Sequence, residues 1–381
     1  DGVLSCSFSD VILIAGAQFN RSDLGGMVNN PDTNSSYVPT TSAAVYAPRR
    51  GHHIYNGSAW VNEGILHESE ARTNLYLKSN QFVSPWQLIG STVTASAGTS
   101  PSGLADAWRW VGNGTSILYQ NTAYAAGDYT ISAWVKSNGA GENTFRLYGR
   151  NQLNSGDFTA TSEWVRYSFT FNSPSAVNQF SGIIYGASQG NVDLLVYGFQ
   201  IEAGSTASSY IPTTSASVTR AAETLTVPAA SLPYDSTNMS IQMDGKMTYA
   251  DTSNAVEVAP YWWRLSYNNF FQAILNTQNS RTGEMQFYQR QSTSGQDFVE
   301  SGDNAYTPGT NVPFNIASRH GSTFINGSHE GTLLTANTTP TILPDLSATD
   351  LNLGQTFMGT IGQFRMWSDD ITDAGITEAS T

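Results

Sequence analysis

The chain has 381 residues, of which 12% are aromatic, and its 30 Asp and Glu outnumber 17 Lys and Arg to leave a net charge of −13. Lysine is confined to Lys78, Lys136 and Lys246, so no nucleic-acid partner is expected, because phosphate contacts need clustered cations. The lone cysteine, Cys6, excludes intrachain disulfides and multi-cysteine metal sites, and no apolar run approaches the ~18 residues a membrane span needs.

Residues 1–46 contain an apolar stretch, Ile12-Leu13-Ile14-Ala15-Gly16-Ala17-Gln18-Phe19, and then Ser35-Ser36-Tyr37-Val38-Pro39-Thr40-Thr41-Ser42-Ala43-Ala44-Val45. Both recur, as Leu194-Leu195-Val196-Tyr197-Gly198-Phe199-Gln200-Ile201 and as Ser208-Ser209-Tyr210-Ile211-Pro212-Thr213-Thr214-Ser215-Ala216-Ser217-Val218. Each pair reads as the closing strand and extended exit segment of one domain type, with the proline holding the exit extended. The second copy closes a domain that starts near Glu70, a normal size for one sandwich. Too few residues precede the first copy to build the same domain. Residues 1–46 are therefore expected to be the closing strand and exit of a preceding, incomplete jelly roll, or to complete a sheet supplied by a neighbouring subunit.

Residues 47–68 read as a linker or β-ribbon with a turn at Asn56-Gly57. They hold His52, His53 and His67, for which a metal staple is the functional reading, although their spacing is irregular for a ligand set. On a three-fold axis one histidine per subunit could gather.

From 69 to 222 short apolar and polar alternations recur between Gly, Asn, Ser and Pro, the period of half-buried strands. Tyr129, Ile131, Ala133 and Val135 face one way, and Thr130, Ser132, Trp134 and Lys136 the other. Val165, Tyr167, Phe169 and Phe171 repeat the pattern. On a neighbouring predicted strand Arg146, Tyr148 and Arg150 share the side opposite Phe145 and Leu147. Trp134 with Arg146, Tyr148 and Arg150 is a candidate face for a glycan or an anionic sugar, since a pyranose stacks its apolar face on an aromatic ring. Burial in the core or at a subunit interface is the competing reading.

A linker is expected over 223–234 and a second sandwich over 235–381. Alternation sends Tyr261 and Trp263 one way and Trp262 and Arg264 the other, so Trp262 and Arg264 form a second candidate contact surface, with core or intersubunit burial the alternative. Asn326-Gly327 reads as a type I′ hairpin turn. A short helix is expected within residues 371–380, weakened by Gly375. The fold class is all-β, in tandem antiparallel jelly-roll or β-sandwich domains.

Glu70-Ala71-Arg72-Thr73-Asn74-Leu75, Ser79-Asn80-Gln81-Phe82 and Pro85-Trp86 resemble the opening of a domain frequent in phage and prophage tail proteins. The resemblance continues through Tyr129–Lys136, Trp164–Tyr167, Gly198–Gly204 and the Ser-Tyr-Ile-Pro-Thr exit, and covers residues 69–222. That family looks like a carbohydrate-binding-module jelly roll. The last part of the chain resembles the laminin-G or concanavalin-like sandwich through Phe357-Met358-Gly359-Thr360-Ile361-Gly362-Gln363-Phe364-Arg365-Met366-Trp367 and the segment that follows.

These resemblances imply a virion structural and adhesion protein, a tail fibre or similar appendage. It would be assembled in the host cytoplasm, face the outside of the cell, form a homotrimer, and contact other virion proteins and bacterial surface glycans. The alternatives are a purely architectural virion protein, such as a capsid fibre or decoration protein, and a bacterial polysaccharide-binding protein. The concanavalin resemblance leaves room for a structural calcium, but the scattered acidic residues name no ligands. No reaction is expected. Retaining glycoside hydrolysis needs two carboxyl groups ~5 Å apart, and the chain has no Glu-x-Asp or Asp-x-Asp, nor a Gly-x-Ser-x-Gly elbow.

Overall fold

The computed structural model describes residues 52–55, 60–139, 143–149, 153–185, 191–249, 257–278, 281–291, 295–341 and 343–381. Both expectations for residues 1–46, the first copy of the repeat and Arg150 lie outside the described residues. The described residues begin with a two-stranded ribbon, β1 (His53–Tyr55) and β2 (Trp60–Asn62), then β3 (Ile65–Glu68) and β4 (Arg72–Asn74). Next come β5 (Gln87–Gly98), β6 (Ala107–Tyr124), β7 (Gly127–Ser137), β8 (Thr144–Tyr148) and β9 (Phe158–Thr159). β10 (Val165–Ser173), β11 (Val177–Tyr185), β12 (Val192–Ala203) and β13 (Val218–Arg220) complete the first domain. The second contains β14 (Leu225–Val227), β15 (Asn238–Tyr249), β16 (Val258–Ser266), β17 (Asn269–Asn276) and β18 (Glu284–Gln291). It continues through β19 (Asp297–Glu300), β20 (Gly309–Gly321), β21 (Ile325–His329), β22 (Thr332–Leu333), β23 (Leu351–Gln355) and β24 (Met358–Trp367) to helix α1 (Thr372–Ala379). Every strand pairing among the described residues is antiparallel, as the all-β reading requires.

The first domain follows the strand order β10-β7-β12-β6-β11-β8-β9, with β5 along the other edge of β6. β6 changes partner along its length: residues 108–112 pair with β12 and residues 117–124 with β11, while β5 pairs with both stretches, between residues 107 and 112 and again at 117–119. The order therefore wraps two layers around one core, and Phe145 on β8 meets Tyr167 on β10 edge-on with centroids 4.9 Å apart. Tyr129, Ile131, Ala133 and Val135 are all buried there, as the alternation predicts.

The repeated exit segment is a polar latch over this core. Asn74 is fully buried. Its Nδ2 donates to the carbonyls of Phe199 (3.1 Å) and Ile211 (2.8 Å), while its Oδ1 accepts from the amides of Tyr76 and Ile201. Gln200 Oε1 accepts from Ile211 N at 2.6 Å, Glu202 accepts from the amide and hydroxyl of Ser208, and Thr213 exchanges bonds with Ser79. Each of these buried polar groups is hydrogen-bonded, Asn74 and Ser79 across the whole domain and Gln200 and Glu202 within its exit, which is what makes their burial tolerable.

The second domain packs two six-stranded sheets, β14-β23-β16-β17-β18-β19 and β22-β21-β20-β15-β24-β3, around Met243, Trp263, Phe271, Phe287, Ile316 and Phe357. Two expectations change here. Asn326 and Gly327 lie inside β21, buried, and not in a turn. A Cβ on Gly327 would stand 2.1 Å from the Phe287 ring, so this glycine serves sheet-to-sheet packing. The hairpin turn is at Glu330-Gly331, both with positive φ, as a type I′ turn demands. The helix is present, and Gly375 has a reason: a Cβ there would lie 2.9 Å from that of Ile371. Arg319 on β20 ties the segment down through Asp370 (2.5 Å) and Asp373 (2.7 Å).

The segment read as a linker ends inside the second domain. β3 pairs with β24 as an edge strand, Ile65 opposite Ile361 and Glu68 opposite Met358, and His67 is buried, its Nε2 donating to Gly354 O at 2.9 Å. A few residues on, β4 pairs with β13 of the first domain. Between them the buried Glu68 carboxylate accepts from Ser209 N (2.7 Å), Ser209 Oγ (2.6 Å) and Arg220 Nη1 (2.5 Å), while Glu68 N donates to the Glu223 carboxylate (2.7 Å) and Glu223 N to Glu68 O (3.0 Å).

Glu68→Ala leaves the half-buried Arg220 without its carboxylate and Ser209 without an acceptor, and should cost about 1–3 kcal/mol, splitting thermal unfolding into two transitions by calorimetry; a single unshifted transition would remove this junction from the account. A second expectation concerns His320, fully buried against Phe271 (4.7 Å), whose pKa burial pushes down to about 3. The fold accepts the neutral ring. The stability it brings is complete above the free value of 6.5 and is lost as pH falls through that range toward about 3. His320→Gln should flatten the melting temperature over that window, and an unaltered acid profile would count against the assignment.

Candidate functional site: aromatic faces on two sheets

The first-domain candidates divide between two sheets. β7, which carries Trp134, lies between β10 and β12, whereas β8, with Arg146 and Tyr148, lies between β11 and β9. Trp134 is half-buried opposite Arg166 and Tyr197 and beside Gly198, under the latch residue Tyr210. The Arg166 guanidinium there donates to Ser208 O (2.6 Å) and Ser132 Oγ (2.9 Å), and burial holds its pKa below the usual range against the opposing pull of Glu202 and Glu68. This neighbourhood is latch structure.

Arg146 and Tyr148 sit on an aromatic face of the other layer. Gly182 of β11 is opposite both Tyr119 of β6 and Tyr148 of β8. Phe180 stacks on Tyr148 with centroids 4.8 Å and planes 6° apart, and meets Tyr119 at 5.3 Å. Ile89, exposed, extends the face from β5 opposite Ile117. Arg146 is already engaged, its Nε donating to Asp157 at 2.6 Å, which removes a free cation from this face. The sequence pointed to Tyr148 and Arg146 by alternation, but not to Tyr119 or Phe180, because nothing local says that β6 and β11 flank β8.

In the second domain the alternation at residues 261–264 holds. Tyr261 and Trp263 are fully buried in the core, and Trp262 and Arg264 emerge on the outer face of β16. Cross-strand register builds that face outward: Trp262 opposite Gln272, Gln272 opposite Tyr288, Tyr288 opposite Phe298. Beside this row, Arg264 is opposite Phe270 and Phe270 opposite Arg290. The Arg264 guanidinium lies 4.9 Å from the Trp262 ring and 5.4 Å from Tyr267, and that of Arg290 lies 4.5 Å from Tyr267. Tyr267, in the β16–β17 turn, is 67% exposed and Leu265 61%. An exposed ring approached by two guanidiniums, with a half-buried indole alongside, offers apolar surface for stacking and hydrogen-bond donors at its rim.

The far end of the face is acidic. Glu284 and Glu300 come from adjacent strands, and Gln286 Nε2 donates to both, at 3.0 Å to Glu300. Burial and the neighbouring Glu300 raise the Glu284 pKa. The two carboxylates thus converge across strands without a local motif. An amide spans them where a hydrolase would seat the bond to be cleaved.

Elsewhere the site candidates fall differently. His52 lies in the ribbon segment, its amide bonded to Gly64 O at 3.1 Å, and its carbonyl accepts from Glu63 N. His53 is in β1, and His67 is committed to Gly354. Among the described residues no group of three or more His, Cys, Asp and Glu is placed to hold a metal ion. A cleft of about 530 Å³ at the domain junction is lined by His67, Glu70, Glu223, Asn352 and Gln355 with no Trp, Tyr or Phe, so it offers no stacking platform.

Gly182 is the structural key to the first-domain face, because a Cβ there would lie 2.1 Å from Leu118 O. Gly182→Ala is expected to cost about 1–3 kcal/mol through forced overpacking and to disturb the Tyr119 and Tyr148 ring resonances in NMR spectra. Equal stability with an unmoved ring pattern would show that the strands yield freely.

No family model matches the chain, and no curated protein matches it at a significant level. Among solved structures, it is similar over 38% of its length to a leech intramolecular trans-sialidase, at 16% identity and a TM-score of 0.30, spanning 23% of that enzyme. A carbohydrate-binding module of family 40 from a Ruminococcus gnavus sialidase, bound to α2,6 sialyllactose, aligns over 42% of this chain and 97% of the module, at 12% identity and 0.32. Domain 4 of a Geobacillus stearothermophilus extracellular arabinanase, in complex with arabinotriose, aligns over 42% and 72%, at 12% identity and 0.31. At these scores the likeness carries no functional argument.

Proposed function

We propose that this chain is a glycan-binding surface protein, a virion appendage component that presents its second-domain aromatic face to saccharides of a bacterial envelope. The observation behind this reading is the exposed Tyr267 ring flanked by Arg264 and Arg290 beside Trp262. Stacking rings with donors at their edge suit the alternating apolar and hydroxylated surfaces of a sugar. The tail-protein resemblance of residues 69–222 supports placement on an appendage, and the same face would equally serve a bacterial polysaccharide-binding protein. Presented in several copies on a trimeric fibre, weak single sites would add up to firm attachment.

A purely architectural role is the second reading, favoured by one feature. Ile89 is 47% exposed on β5 beside the Tyr119–Phe180–Tyr148 face, an apolar surface that another virion subunit could cover.

A glycan array with the full chain separates these. Binding should appear and fall at least ~10-fold in Trp262→Ala and Tyr267→Ala, as for aromatic anchors, and survive in Trp134→Ala, whose ring belongs to the latch. Absence of binding at high protein concentration would favour the architectural role, and release of reducing sugar would refute the non-enzymatic one.

A further inference from the structure

The face just described is uneven in charge. The chain pairs most of its described arginines with carboxylates: Arg72 with Glu70, Arg109 with Asp193, Arg146 with Asp157, Arg220 with Glu68, Arg281 with Glu284, and Arg319 with Asp370 and Asp373. Arg264 and Arg290 have no carboxylate within ion-pair distance among the described residues, although the chain carries a net charge of −13. Both approach the same ring, that of Tyr267. Their charges therefore stand no more than about 10 Å apart, within one Debye length at 0.1 M salt, and repel. The Nε of Arg290 is buried with no hydrogen-bond acceptor, an unmet donor that normally finds a partner. Cation–π contact relieves part of this cost, but it leaves the in-plane N–H groups without acceptors.

A carboxylate laid against the outer terminal N–H groups of the two guanidiniums would answer the uncompensated charge. It would also be held by charge-assisted, fork-like hydrogen bonds. Further along the same face of β18 the charge reverses: at ~3.3 Å per residue, Gln286 with its two glutamates lies about 13 Å from Arg290. Glu284 is buried and paired with Arg281, but Glu300 is exposed, and a ligand charged along its whole length would run into it. One with a single acidic residue would place its neutral neighbours over Gln272 and bring hydroxyl donors toward Glu300.

We infer that the β16–β18 face selects an acidic saccharide, a hexuronate or similar carboxylate-bearing sugar, seated at Arg264 and Arg290 and flanked by neutral sugars. The inference rests on the glycan-binding reading and narrows its ligand class.

Titration calorimetry on the full chain tests it with three probes: an oligosaccharide in which one hexuronate is flanked by neutral hexoses, the same molecule with its carboxyl group reduced to the alcohol, and a sulfated polysaccharide. The acidic oligosaccharide should bind at least about ten-fold more tightly than the reduced one. Arg264→Gln and Arg290→Gln should each abolish most of that difference, weakening the acidic probe far more than the reduced one, and Tyr267→Ala should weaken both to a similar degree. Unchanged melting temperatures verify that the surface variants fold. Equal affinity for the acidic and reduced forms would overturn the acidic selectivity and leave glycan binding standing, whereas no binding of any probe would remove both. Preference for the sulfated polymer would overturn the single-carboxylate assignment. A concentration-dependent dimer in sedimentation, lost in Tyr267→Ala, would make the face a contact between copies and overturn the proposal outright.

Discussion

The two domains meet at a carboxylate that is out of water. Burying Glu68 would be costly for an isolated charge, and its three donors, Ser209 N, Ser209 Oγ and Arg220 Nη1, compensate for the lost solvent. All three belong to the exit side of the first domain, while Glu68 itself terminates a strand of the second. One residue therefore enforces two conditions: the exit segment must be latched, and β3 must be paired with β24. The position of the aromatic face on β16–β18 relative to the first domain follows from that constraint, because β16 joins the sheet packed against β3's own.

The opening, Gly-x-Gln and exit motifs that resemble tail-protein domains supply this latch, while Tyr129–Val135 supplies core. Asn74, Ser79, Gln200, Glu202, Ser208 and Thr213 are buried and hydrogen-bonded to one another or to backbone groups across the domain. This explains why a short Ser-Tyr-Ile-Pro-Thr string and a Gly-x-Gln strand could be recognised as a unit at all. They form a single hydrogen-bonded closure whose members stand far apart in sequence. It also explains why those motifs say nothing about a ligand, since none of their side chains belongs to either exposed face.

Legibility followed the range of the interaction. Period-two alternation is local, so it separated Trp263 from Trp262 and Ile131 from Trp134 correctly. Which strand lies next to which is not local, and grouping Trp134 with Arg146 presumed that β7 and β8 are neighbours when the chain crosses from one layer to the other between them. Tyr267 and Arg290 escaped notice for the same reason: one lies in a turn and the other on β18, and only cross-strand register brings them to one place. Asn326-Gly327 misled because its chemistry fits a turn, while the space demanded by Phe287 fits a strand glycine equally well.

Because Ile65–Glu68 closes the edge of the second-domain sheet, the unit that can be exchanged between proteins is larger than a sandwich. A fragment that begins after Arg220 would carry β24 with its outer backbone groups unpaired, open to any extended segment and prone to stick to its own copies. Recombination that preserves a soluble product must carry the stretch from Ile65 onward with the sheet it completes, so the first domain is inherited as an insertion between one edge strand and the rest of its sheet.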